Sequence, residues 1–140
     1  MEARNDFYPV ISFKGAALHT AAAEGAVIVD LAGFKGAMIL IQSETITDGG
    51  FVFELKEGNA SNLSDAAAVA DSDLVAGGPT SGDLEPTFAA ADDDHSHWFY
   101  YVGSKRYLRI DLKTVTGTPA TGGSFIGTVI KMFPHHAPVV

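Results

Sequence analysis

The chain contains no cysteine. That absence removes disulfides, thiolate zinc sites and cysteine nucleophiles together, and with them a disulfide-stapled secreted scaffold. Long hydrophobic runs are missing too. A stretch such as Ala37-Met38-Ile39-Leu40-Ile41 falls far short of the ~20 apolar residues that a membrane helix needs. The opening residues, Met1-Glu2-Ala3-Arg4-Asn5-Asp6, are polar and mixed in charge, so no signal peptide is expected. Positive charge is scarce: nine Lys and Arg stand against seventeen Asp and Glu, 9 − 17 = −8. Such a balance disfavours binding to nucleic-acid phosphates and favours solubility. There is no Gly-x-Ser-x-Gly elbow, no Gly-x-Gly-x-x-Gly turn and no phosphate-binding loop, so neither an enzyme nor a cofactor is expected.

What is present is a β pattern. Fifteen glycines accompany many Thr, Val and Phe in a chain of 140 residues, a composition and length that suit one all-β domain. Phe51, Phe53 and Leu55 alternate with Val52, Glu54 and Lys56, and Leu108, Ile110 and Leu112 alternate with Arg109, Asp111 and Lys113. Period two means a strand with one face in the core and one in water. Ala26–Val29 and Ala37–Gln42 read as short buried strands, and Thr47-Asp48-Gly49-Gly50 as a tight hairpin turn. Trp98–Val102 is expected to pair with Tyr107–Val115 across Gly103-Ser104. Gly122-Gly123 is expected to turn a hairpin into a last strand, Ser124–Phe133, ended by Pro134. Ala21–Glu24 is too short to nucleate a helix and reads as a loop. Residues 59–94 read as long loops, with Ser64-Asp65 as candidate caps of a helical turn. The expected fold is a single-domain β-sandwich over 1–140, jelly-roll-like with about eight strands, with candidate extended arms at 1–7 and 134–140. An up-and-down barrel is the alternative.

Candidate chemistry is thin. Asp92-Asp93-Asp94-His95-Ser96-His97 offers carboxylates and imidazoles, and His95 and His97 would share one face of a strand. The tract lacks the glycine and distal acid of a calcium loop, so an acidic solvated loop is the favoured reading and no metal is assigned. His135 and His136 are adjacent and point apart in an extended chain, which argues against chelation and for an extended contact segment. Lys105, Arg106, Arg109 and Lys113 carry four of the nine positive charges. With Tyr107 they form a candidate interface strand, since Arg and Tyr anchor protein contacts; the plainer reading is a solvated strand face.

Several phrases, in order, resemble a family of small tailed-bacteriophage virion proteins. They are Val29-Asp30-Leu31-Ala32-Gly33-Phe34, Thr47-Asp48-Gly49, Leu84-Glu85-Pro86-Thr87-Phe88, Tyr101-Val102-Gly103-Ser104-Lys105-Arg106-Tyr107-Leu108-Arg109 and His136-Ala137-Pro138-Val139. The resemblance implies a structural virion protein, a decoration or cement protein on the outer surface of the assembled capsid, partnered by the major capsid protein and by its own copies as a homotrimer. From the charge balance and the short apolar runs, no direct nucleic-acid or membrane partner is expected. The residues expected at capsid or subunit interfaces are Arg4, Phe7, Lys105, Arg106, Tyr107, Arg109, His135 and His136. The alternatives are a head-to-tail connector or tail subunit, and a carbohydrate-binding jelly roll using Trp98, Phe99, Tyr100 and Tyr101.

Overall fold

The computed structural model describes residues 7–14, 18–78 and 85–134. They form ten strands: β1 (Phe7–Lys14), β2 (Val29–Asp30), β3 (Phe34–Ile46), β4 (Gly50–Gly58), β5 (Ala67–Ala68), β6 (Leu74–Gly78), β7 (Thr87–Phe88), β8 (Ser96–Tyr101), β9 (Tyr107–Thr116) and β10 (Gly123–Pro134). The first sheet has the order β1-β10-β3-β8-β6. The second runs β2-β9-β4-β5, with β7 also on β4. Without β6 and β7, the eight remaining strands form two four-stranded sheets, β1-β10-β3-β8 and β2-β9-β4-β5, the strand order of a jelly roll. The chain is an all-β sandwich.

The alternating side chains meet between the sheets as expected. Phe51, Phe53 and Leu55 of β4 and Leu108, Ile110 and Leu112 of β9 are buried, against Ile39, Ile41, Phe99 and Val129 of the first sheet. Five phenylalanines form the centre. Phe53 lies 5.3 Å from Phe13, 5.0 Å from Phe125 and 5.9 Å from Phe88, all edge to face, and Phe125 lies 4.9 Å from Phe51. Pairs of this kind add about 0.5–1.5 kcal/mol each beyond the area they bury. Between Ile11 and Phe13 the β1–β10 register slips. Ser12 there donates to the Val27 carbonyl and accepts the Ile110 N–H, at 2.8 and 3.0 Å, stitching the edge of the first sheet to β9 of the second.

The expected hairpins are not hairpins. β3 and β4 lie in different sheets, as do β8 and β9, and β9 and β10. Thr47-Asp48-Gly49, Gly103–Arg106 and Gly117–Gly122 are therefore crossings between sheets. At one end two crossings bind each other: the Asp48 carboxylate accepts the N–H groups of Ala120, Thr121 and Gly122 at 2.7, 3.1 and 2.5 Å. These bonds hold the Asp48 carboxyl below the usual carboxylate range. At the other end Leu31 N–H bonds to Arg106 O at 2.8 Å, and Arg106 grips Asp30 with two bonds of 2.9 Å.

Other local expectations also change. Strand β2 covers only Val29–Asp30, and Val27 is exposed. No helical turn follows Ser64-Asp65; the Asp65 carboxylate instead accepts the N–H groups of Asn59 and Ala60, and Ala67–Ala68 pairs with β4. The stretch read as loops contains β5, β6 and β7. Ala21–Glu24 is a loop whose Ala23 bridges Leu112. Gly25 then runs so close to β9 that a Cβ would collide with the Ile110 carbonyl oxygen, which requires glycine there.

Candidate contact face

The outer faces of the two sheets differ in chemistry. On the second sheet the central outward residues of β4 and β9, Glu54, Lys56, Arg109, Asp111 and Lys113, are charged and form ion pairs. Glu54 lies opposite Asp111, and Lys56 opposite Arg109. Lys56 meets Glu54 at 2.6 Å, and Lys113 meets Glu85 at 2.8 Å. Arg109 forks onto Asp111 at 2.7 and 2.9 Å and reaches Glu24 at 3.1 Å. Only 12% of the Arg109 side chain and 8% of the Asp111 side chain are exposed. The solvated strand face expected over Tyr107–Lys113 is thus partly a closed ion-pair network. Arg109, its cation held by Asp111 with its pKa pushed further up, belongs to that network.

The first sheet is the reverse. One row crosses all five strands through paired residues: Pro9, Ile130, Met38, Tyr100 and Val75. The next runs Ile11, Thr128, Leu40, Trp98 and Gly78. A third begins Phe7, Met132 and Gly36. These positions alternate with the buried Ala37, Ile39, Ile41, Phe99 and Val129, so they point away from the core. No charged residue stands in the three rows, and Thr128 is their only hydrogen-bonding side chain apart from the Tyr100 hydroxyl and the Trp98 N–H. Charge and amide return only beyond them, with Lys14, Gln42 and Ser96 around Ile126. An antiparallel sandwich normally shows water a polar outer face; this face has the chemistry of a core. At its edge Gly77 and Gly78 leave room for the Trp98 ring, which a Cβ at either glycine would meet at 2.5 Å. Phe133, 61% exposed, closes one end with φ 55°, a strained conformation for a bulky residue.

No protein-family model matches the chain, and no curated protein matches it either.

Apart from Arg109, the residues expected at an interface divide into three groups. Arg4, His135 and His136, with the two candidate arms apart from Phe7 and Pro134, lie outside the described residues. Phe7 lies on the apolar face and is 46% exposed. Lys105 and Arg106 line a pocket of about 340 Å³ at the end of the sandwich, between the Leu31–Lys35 and Gly103–Arg106 segments. The Arg106 guanidinium also lies over the Tyr107 ring, 5.2 Å from its centre. Close by, the Lys131 ammonium sits 4.6 Å from the Tyr8 ring and 4.9 Å from the Phe34 ring. Lys35, Lys105, Arg106 and Lys131 thus gather at one end of an acidic chain. Lys35 and Lys105 have no carboxylate at ion-pair distance among the described residues, whereas Arg106 is bound to Asp30, whose pKa it lowers.

Asp92–His97 does not converge on a metal geometry. His97 is buried against Phe88, 6.3 Å between ring centres, while His95 is exposed and bonds the Asp93 carbonyl oxygen. Among the described residues no three His, Asp or Glu side chains lie close enough to share an ion. The segment instead braces the end of β3. Asp93 accepts the Ile46 N–H at 2.6 Å, and Ser43 bonds the Asp92 carbonyl oxygen.

The apolar face was not singled out in the sequence, though a signal exists. Met38-Ile39-Leu40-Ile41 is apolar at odd and even positions, and so are Ile126, Val129, Ile130 and Met132. A strand apolar on both sides is a strand covered on both sides.

Proposed function

We propose that this protein is a structural virion subunit that binds the outer surface of the assembled phage capsid and stabilises it. The observation that carries the reading is the uncharged five-stranded outer face of the first sheet, set opposite a sheet whose charges satisfy one another. Large exposed apolar patches mark protein contacts, and a subunit with such a face works in an assembly. The resemblance to small phage virion proteins names that assembly, and a protein that binds only the assembled shell stabilises it by mass action. The cationic end, with Lys35, Lys105 and Arg106, supplies the shell-facing surface and the major capsid protein is its partner. The acidity of the chain suits the outside of a particle rather than its nucleic-acid interior.

The test is co-sedimentation of the purified protein with expanded, undecorated capsid shells, followed by thermal melting of the shells. Saturable binding and a raised shell melting temperature are expected. Shells that bind nothing and melt unchanged overturn the reading. Labelling confined to the neck or tail in virion images supports a connector or tail subunit instead. Trp98 and Tyr100 on the outer face favour one other reading, a sugar-stacking platform, which glycan-array binding would support.

A further inference from the structure

We infer that the apolar outer face of the first sheet is covered by the same face of a second copy of this chain. The inference deepens the assembly reading above, rests on its premise that this face is buried in a protein contact, and puts a pair of copies in place of the homotrimer that the resemblance implies.

Three observations select a second copy as the occupant. The first is charge. Every copy carries a net charge of −8, so a contact between copies is opposed least where neither carries charge. The rows through Pro9, Ile130 and Met38 and through Ile11, Leu40 and Trp98 form such a surface. The charged outer face of the second sheet does not. The second is area. Two five-strand rows and one three-strand row, at ~4.8 Å between strands and ~3.3 Å per residue along them, give a footprint of roughly 400 Å². Two such footprints bury about 800 Å², the size of a weak, reversible self-association. The third is geometry. Twisted sheets pack face to face about 10 Å apart with their strands rotated by roughly 30°, and one such face can meet its own copy about a twofold axis, an isologous contact that closes at two. Met38, on the central strand and in the central row, lies nearest that axis.

The absence of cysteine makes the test clean, because one introduced cysteine carries one label. Sedimentation velocity on the wild-type chain should give a dimer. Met38→Glu and Ile130→Glu should each give a monomer with an unchanged far-UV circular dichroism spectrum. If either variant fails to fold, spin labels supply the answer instead. A label at Met38→Cys should show strong dipolar broadening from its partner across the interface, and a label at Lys56→Cys, on the opposite sheet, should show none. A wild-type monomer at tens of micromolar, a trimeric mass, or a broadened Lys56 label with a sharp Met38 label overturns the face-to-face pairing. Shell binding separates this inference from its premise. A dimer that ignores shells removes the capsid reading and keeps the pairing. A monomer that binds shells does the opposite.

Discussion

The Tyr101 hydroxyl donates a 2.6 Å hydrogen bond to the Glu57 carboxylate, joining the two sheets through the core. Tyr101 is 1% exposed and Glu57 9%, and the same hydroxyl accepts the Lys105 N–H at 3.0 Å. The bond thereby ties the first residues of the cationic end to the interior. Tyr101→Phe leaves a buried carboxylate and a backbone N–H without their partner, so a loss of about 2–3 kcal/mol in urea unfolding is expected. A loss below ~0.5 kcal/mol would show that water replaces the hydroxyl. Burial, followed by the Glu57 bond, pushes the hydroxyl pKa up. The folded chain thus holds this proton at pH values where the unfolded chain releases it. Stability from Tyr101 is complete below about pH 10 and declines above it, a decline that Tyr101→Phe should reduce in alkaline melting curves.

His19 sets an acid-side effect. Its Nε2 is buried with no hydrogen-bond partner among the described residues, and its ring lies 5.0 Å from Phe13. Burial lowers its pKa, so the unfolded chain binds a proton on acidification before the folded chain does. Stability from His19 is present above about pH 6.5 and is lost as pH falls through that value towards the folded pKa. Melting temperatures measured from pH 7.5 to 5 should fall for the wild type and fall less for His19→Phe. Parallel curves for the two would remove His19 as the cause.

The Arg109–Asp111 fork is expected to behave as a buried ion pair. Asp111→Ala leaves the buried guanidinium with the exposed Glu24 and removes the acceptor that holds the Gly25 N–H at 2.9 Å, for an expected loss of about 3 kcal/mol. Replacing both partners by Leu should recover much of that loss, since no uncompensated charge remains. A double variant as unstable as the single one would show that the Gly25 bond, rather than the ion pair, dominates. Denaturant titration of these three chains decides between them.

Shell binding should depend on the cationic end and on salt. The pair Lys35→Glu and Lys105→Glu reverses two cations without carboxylate partners among the described residues, and its melting temperature should stay near that of the wild type. Its affinity for shells should fall at least tenfold, and wild-type affinity should fall as salt rises. Retention of full affinity by the double variant would move the shell contact elsewhere on the molecule.

The core was legible because the relevant physics is local. Phe51, Phe53 and Leu55, and Leu108, Ile110 and Leu112, alternate in sequence and all face the core. Pairing was not legible. Thr47-Asp48-Gly49 has the residues of a hairpin turn, and Gly49 has φ 92°. The same chemistry also serves a crossing, and Asp48 commits its carboxylate to Ala120–Gly122, more than 70 residues away. A turn motif states how tightly the chain bends and leaves open which strand it then joins. Arg109 carries the same lesson. The sequence places it on a polar strand face, and only the fold brings Glu24 and Gly25 beside it.

By itself, then, the sequence determined the strand class, the inward residues of β4 and β9, and the exclusion of thiol chemistry, since each follows from residue type and period two. The tertiary structure alone decided that the strands divide between two sheets in the order of a jelly roll. It also decided that the charged outward residues neutralise one another on one sheet, and that the apolar outward residues of β1, β10, β3, β8 and β6 merge into one uncharged face on the other. The physical reason is that a strand's two faces are written in its own residues, whereas its neighbours are chosen by the burial and hydrogen bonding of the whole chain.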